Sequence, residues 1–187
     1  MRVSREQVAI NRQKILEAAS RLFRERGYDA VTVADVMSAA GLTHGGFYGY
    51  FKSKDELIAQ TLEHVFDQGE AGEADLVRYA ARYLSGEHRD NLAGGCPTAA
   101  LGAETVRQTP EARAAMAAGL KKQIERLSAR GSNDAAQARR AAIGGWSAMV
   151  GAVILARLVD DPVLSDEVLS ETLAWIEHQD ADLSTSH

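Results

Sequence analysis

Little in this chain could cross-link it, bend it sharply or carry it into a membrane. One cysteine, Cys96, stands among 187 residues. No disulfide can close within the chain, which points to a reducing compartment, the cytoplasm. Only Pro97, Pro110 and Pro162 could interrupt a helix, and their scarcity favours a helical chain. The opening residues MRVSREQVAINRQK lack the apolar core of an export signal. The run at 141–156, AAIGGWSAMVGAVILA, is shorter than the roughly 20 residues a membrane span needs. Arginines bracket it, so a buried helix is expected and no membrane partner. A glycine-rich phosphate loop, an H-E-x-x-H pair and a nucleophile elbow are all missing, which argues against the commoner enzyme classes. His64 and Asp67 lie one helical turn apart without a third ligand, so no metal is expected, and no cofactor motif is seen.

Charge is present in abundance and is unevenly placed. The chain carries a net −5. Residues 1–54 hold nine Lys/Arg against five Asp/Glu, a net +4, which leaves −9 for the remainder. A basic N-terminal unit on an acidic body suggests an anionic partner for the smaller part.

Periodicity and caps divide the chain into helices, nine in all. Ile15, Ala19, Leu22 and Phe23 recur at helical spacing within 8–26, and Gly27 ends that helix. YDAVTV could pass for a strand, but Thr32 followed by Asp35 is a capping pair, so a second helix is placed from 33 to about 40. Gly41 stops it, and Thr43 can cap a short third helix. Ser53-Lys54-Asp55-Glu56 fits the S-x-x-E capping box and opens a fourth, which reaches a boundary near 69–72. Further helices are expected over 75–84, 97–107, 110–130, 134–159 and 165–178. A loop is expected at 85–95, a break at 131–133, a stop at Asp160-Asp161-Pro162 and a frayed tail. The fold class is all-α: a three-helix helix-turn-helix domain over 1–52, then a larger helical domain over 53–187 joined by the helix from 53 to about 68.

Function is concentrated in GLTHGGFYGYF, residues 41–51. Gly45 to Phe51 alone hold three glycines and four of the chain's eleven aromatic residues. Two short helices joined by Gly41-Leu42-Thr43 make a helix-turn-helix, whose second helix enters the DNA major groove with its first residues at base edges. Phe47 and Phe51, four apart, should anchor that helix against Leu22, Phe23 and Val36. Tyr48 and Tyr50 point elsewhere, where their hydroxyls suit phosphate oxygens beside Lys52. The helix starts at Thr32 and Thr43 can offer backbone N–H groups to phosphates.

These residues resemble the N-terminal domain of the tetracycline-repressor (TetR) family of bacterial transcription regulators. The resemblance covers 8–66 and is carried by ILEAASRLFRERGYDAVTVADVMSAAGLTHGGFYGYFKSKDEL. It implies an all-helical homodimer that binds double-stranded DNA at a palindromic operator and is released by a small-molecule inducer held in the second domain. It implies a phosphate-binding cap at Thr32 and backbone and base contacts at Thr43 and His44. It also implies a pattern glycine at Gly45 and phosphate contacts at Tyr48, Tyr50 and Lys52. Gly46 and Gly49 depart from the family pattern, where a side chain is more usual. Readout would then rest on Thr43, His44, thymine methyl groups or DNA shape.

In the second domain, Gly144, Gly145, Ala148, Gly151 and Ala152 would let two helices approach closely. The family forms its dimer from its last two helices. Met116, Trp146 and Met149 are candidates for lining an inducer pocket. Cys96 sits in GGCP, where the helix start favours a thiolate and Gly94 and Gly95 would leave it open to approach. The resemblance extends to a subgroup with such a segment that includes sensors of electrophiles and drugs, which makes Cys96 a candidate sensor thiol. Two other readings remain: a helical carrier of small molecules with no DNA role, and a thiol enzyme pairing Cys96 with a histidine such as His88.

Overall fold

The computed structural model describes residues 4–68, 76–129 and 134–185, with side chains through 181. Within them every regular element is a helix: α1 (Arg5–Ala30), α2 (Val33–Ala39), a 3-10 helix (His44–Gly49), α3 (Lys54–Gln68), α4 (Leu76–Tyr83), α5 (Gly86–Asp90), α6 (Pro97–Thr105), α7 (Pro110–Ser128), α8 (Ala135–Leu158) and α9 (Pro162–Thr185). The expected boundary at 69–72 and break at 131–133 lie outside the described residues.

The chain forms two compact units, Met1–Gly69 with Ala100–Gly119, and Glu70–Ala99 with Leu120–His187. In the first unit α1 packs on α2 and α3, and α2 on the 3-10 helix. Ile15, Phe23, Val36, Met37, Phe47, Phe51, Leu57 and Leu62 are buried, whereas Leu22 is only half-buried. Each large apolar side chain so buried contributes about 1.5–3 kcal/mol. Phe47 and Phe51 stack with ring centres 5.7 Å apart, and Arg12 lies over the Phe51 ring at 5.2 Å. The 3-10 helix is therefore held from beneath by two rings, as its spacing predicts.

Local chemistry explains the turns. Gly27, at φ 77°, leaves helical geometry within α1. The Glu104 carboxylate accepts the Tyr28 N–H at 2.8 Å, and a Cβ on Gly27 would lie 2.5 Å from Glu104 Oε1. The Tyr28 hydroxyl meets Thr105 Oγ1 at 3.0 Å, and Lys54 Nζ donates to the Tyr28 carbonyl at 2.6 Å. Burial pushes the Tyr28 phenol up to about 12, so it stays neutral at any ordinary pH. Residues 100–119, among them the candidate pocket residue Met116, thus pack within the first unit. Met116 is buried there.

In the second unit α8 packs on α9, with α4 and α5 against them. Its core holds Ala80, Tyr83, Leu84, Leu127, Ala142, Trp146, Met149, Val153, Leu169 and Ile176. Arg89 ties α5 to α9 through Ser165 Oγ at 2.9 Å and Asp166 at 2.6 Å, and Ser165 donates to the Ala156 carbonyl at 2.7 Å.

Several expectations need correcting. The segment at 85–95 is not all loop: Ser85 accepts the His88 N–H at 3.1 Å and caps the short helix α5. Pro162 starts a helix instead of only ending one. The Asp161 carboxylate accepts the Val163 N–H at 2.9 Å, and proline at a first helical position loses no hydrogen bond. The helix then runs on to Thr185. Helix α8 has 24 residues and a mean hydropathy of 1.6 over its most apolar stretch, so by length and composition it could cross a membrane. One side of it belongs to the core, and the other exposes Ile143, Ile154, Leu155 and Leu158.

Candidate nucleic-acid interface

Thr32 caps α2 with both halves of a capping box. Its Oγ1 accepts the Asp35 N–H at 3.1 Å, its own N–H donates to Asp35 Oδ2 at 2.8 Å, and its hydroxyl donates to the same oxygen at 2.6 Å. These bonds hold the Asp35 carboxyl below its ordinary range. The cap uses the Thr32 and Asp35 amides, so a phosphate at this helix start meets an acidic neighbour and fewer open N–H groups than the sequence suggests.

At the second start, Thr43 has the extended backbone of a cap, but its side chain makes no capping bond. The Gly46 N–H goes to the Thr43 carbonyl at 3.0 Å, the short-range bond of a 3-10 turn. The Thr43 side chain and that of His44 are exposed. Tyr48 is 75% exposed and rests edge-on against Phe47, 5.3 Å between ring centres. Lys52 is exposed, and its backbone N–H is held by Glu56 at 2.6 Å. The Glu56 carboxylate therefore reaches one residue further back than a standard capping box, while Ser53 Oγ accepts the Glu56 N–H at 3.1 Å.

Tyr50 differs from Tyr48. It is half-buried, and its hydroxyl accepts from Asn11 Nδ2 at 2.9 Å. Asn11 is fixed in turn by Gln7 at 2.9 Å. The Tyr50 hydroxyl keeps its own proton to donate outward. Asn11 and Gln7 escaped the sequence reading because the bond to Tyr50 spans 39 positions.

The glycines form the barest part of this surface. A Cβ at Gly45 or Gly49 would meet nothing within 4 Å, and one at Gly46 would make ordinary contacts with Thr43, Met37 and Tyr50 from 3.7 Å outward. None of the three has a positive φ. Neither packing nor backbone conformation requires glycine there.

The other candidates lie elsewhere. Cys96 is half-buried just before α6 and packs against the core of the second unit. Gly95 does not open a path to it: the glycine is buried, and a Cβ there would fall 2.7 Å from the Asn91 carbonyl and 3.1 Å from Arg157 Nη2. Trp146 and Met149 are buried in that core. Three or more metal-ligating side chains do not come together among the described residues.

Among the described residues every regular element is helical, and α2 with the 3-10 helix makes a helix-turn-helix. Residues 15–61 match the family described as bacterial regulatory proteins, tetR family, so the helix-turn-helix segment is similar to that family's domain. The segment is 36% identical over 61 residues to the HTH-type transcriptional repressor KstR2 of Mycolicibacterium smegmatis, covering 33% of this chain and 30% of that one. It is 36% identical over 67 residues to the HTH-type transcriptional regulator TtgR of Pseudomonas putida, covering 36% and 32%. The chain spans about a third of the length of the curated relatives it matches. The fold likeness extends further. A TetR transcriptional regulator from Chloroflexus aurantiacus superposes with a TM-score of 0.66 at 26% identity, covering 92% of this chain and 96% of the other. The reduced form of Escherichia coli NemR gives 0.71 at 22% identity, covering 90% and 95%. The fold is therefore that of these TetR regulators.

Proposed function

We propose that this chain is a DNA-binding transcriptional regulator, a repressor that leaves a palindromic operator when a small molecule binds its second unit. The observation that carries the reading is the exposed surface of Thr43, His44, Tyr48 and Lys52 around three glycines the fold does not need. Phosphates would be gripped by Tyr48, Tyr50, Lys52 and the Thr32 cap, and the bare glycine face would let backbone sit close to the bases. Thr43 and His44 are the side chains left to read sequence.

The operator geometry requires two copies, with recognition helices roughly 34–36 Å apart. The exposed side of α8 and α9 suits that pairing. Leu155 is 54%, Leu158 74% and Trp175 50% exposed. A groove of about 510 Å³ runs among Ala148, Gly151, Leu155, Thr172 and Trp175. A ligand that favours a conformer with a different helix spacing would release DNA by shifting the population. Modification of the half-buried Cys96 thiol is a second route to the same end. A Cys96→Ser protein that releases DNA normally with a quinone would exclude that route.

Selection of bound sites from random DNA with purified protein tests the main reading. The expected result is an inverted repeat whose preferred bases change in His44→Ala. An unchanged preference removes His44 from base reading, and no enriched sequence removes the regulator.

A further inference from the structure

The core of the second unit contains two hydrogen-bond donors without an oxygen or nitrogen acceptor. The Tyr83 hydroxyl and Trp146 Nε1 are buried, and beside the Tyr83 hydroxyl stands only the weakly accepting Cys96 thiol. Tyr83 is 5% and Trp146 6% exposed, and both belong to one apolar cluster. Buried donors without acceptors are costly, and settled cores contain few of them. Thr61 Oγ1, the other such side-chain atom among the described residues, lies in the first unit. As a hydroxyl on a helix, it can rotate towards a carbonyl of the preceding turn. Tyr83 and Trp146 have no such local remedy, and an indole N–H can only donate.

The neighbourhood is aromatic and short of negative charge. The Tyr83 ring lies 4.3 Å from the His88 ring and 5.9 Å from the Tyr79 ring, centre to centre. Burial holds the Tyr83 phenol far above its ordinary value, so it keeps its proton, and burial lowers His88 towards the neutral form. The polar side chain acting most directly on the Tyr83 hydroxyl is the Cys96 thiol, a weak acceptor. Arg157 donates to the carbonyls of Arg89 at 2.9 Å and His88 at 3.2 Å and pairs with no carboxylate. Asp90, the acid whose charge acts on Arg157, is held by Arg89 at 2.7 Å. Gly145, next to Trp146, lies against Leu76 of α4, the helix that Tyr83 ends, and both donors belong to one cluster.

We propose that this core takes a small aromatic compound with hydrogen-bond acceptors, a carboxylate or conjugated carbonyl, which receives the Tyr83 hydroxyl and the Trp146 N–H. The inference rests on the reading of the chain as a ligand-responsive regulator and names the chemistry of its ligand. A donor-bearing cation of the same shape is excluded, because it would leave both donors unpaired and face the Arg157 charge.

The test uses three probes on one hydrocarbon frame: 2-naphthoate, 2-acetonaphthone and 2-naphthylmethylammonium. In Trp175→Phe, Trp146 is the sole tryptophan, and its fluorescence reports binding. The naphthoate and the ketone should alter Trp146 emission and raise the melting temperature, and the ammonium should do neither at tenfold higher concentration. Tyr83→Phe should weaken naphthoate binding about 3- to 10-fold without lowering the melting temperature of the unliganded protein. Equal binding of the ammonium, undiminished binding by Tyr83→Phe, or no binding of any probe at millimolar concentration overturns the proposal. The same preparation is assayed on its selected DNA site. DNA binding without probe binding removes this inference alone, and probe binding through Tyr83 without DNA binding removes the regulator reading instead.

Discussion

The two units settle their polar groups in opposite ways. The first pairs most of them and presents a polar, glycine-rich surface: Thr32 with Asp35, Ser53 with Glu56, and across a long stretch of chain Tyr28 with Glu104 and Thr105. The second leaves the Tyr83 and Trp146 donors unpaired inside and an apolar stripe of Leu155, Leu158 and Trp175 outside. A unit whose polar groups are mostly paired is suited to present a rigid surface to something large and preformed. A unit with unpaired donors within and apolar side chains without is suited to take a ligand and a second copy of itself.

The largest expected effect strikes the apolar stripe. Leu155→Glu should convert a dimer to a monomer in sedimentation equilibrium and lower operator affinity about 100-fold or more, because one of two linked contacts is lost. An unchanged mass would show that the stripe does not pair copies. Next comes the joint of the first unit. Glu104→Ala leaves the Tyr28 N–H without its acceptor and should cost about 1–3 kcal/mol in urea denaturation. Gly27→Ala should cost about as much, since φ there is positive and Glu104 occupies the space. If both are neutral, the joint does not hold the unit together. The smallest effect is on pH dependence. His88 has its folded value lowered by burial, so the unfolded chain binds the proton more readily. Stability of the second unit should be full above about 6.5 and fall as the pH drops from there towards the lower folded value. His88→Gln should flatten that slope in melting curves, and an unaltered slope assigns it to other groups.

Much of the first unit was legible because its determinants are local. Thr32 and Asp35 stand three apart, Gly41 takes the positive φ that a helix stop needs, and Phe47 and Phe51 share a face. What escaped was non-local or ambiguous in kind. Nothing near Glu104 says that it caps a turn 76 positions earlier. Pro162 can end one helix or begin the next, and only the bond from the Val163 N–H to Asp161 decides. Glycine signals either openness or close packing, and Gly95 proves to be packed whereas Gly45 and Gly49 are open. The two unpaired donors could not be seen from sequence at all, because being unpaired is a property of the surroundings.

The central claim is that the bare glycine face of the 3-10 helix lies close to DNA. The most direct measurement compares wild-type protein with Gly45→Ala and Gly49→Ala, each for melting temperature and for affinity to the selected operator across salt concentrations. Both positions are sterically open, so the account predicts melting temperatures equal to or above that of wild type, with operator affinity reduced at every salt concentration. Variants that bind the operator as tightly as wild type would contradict it.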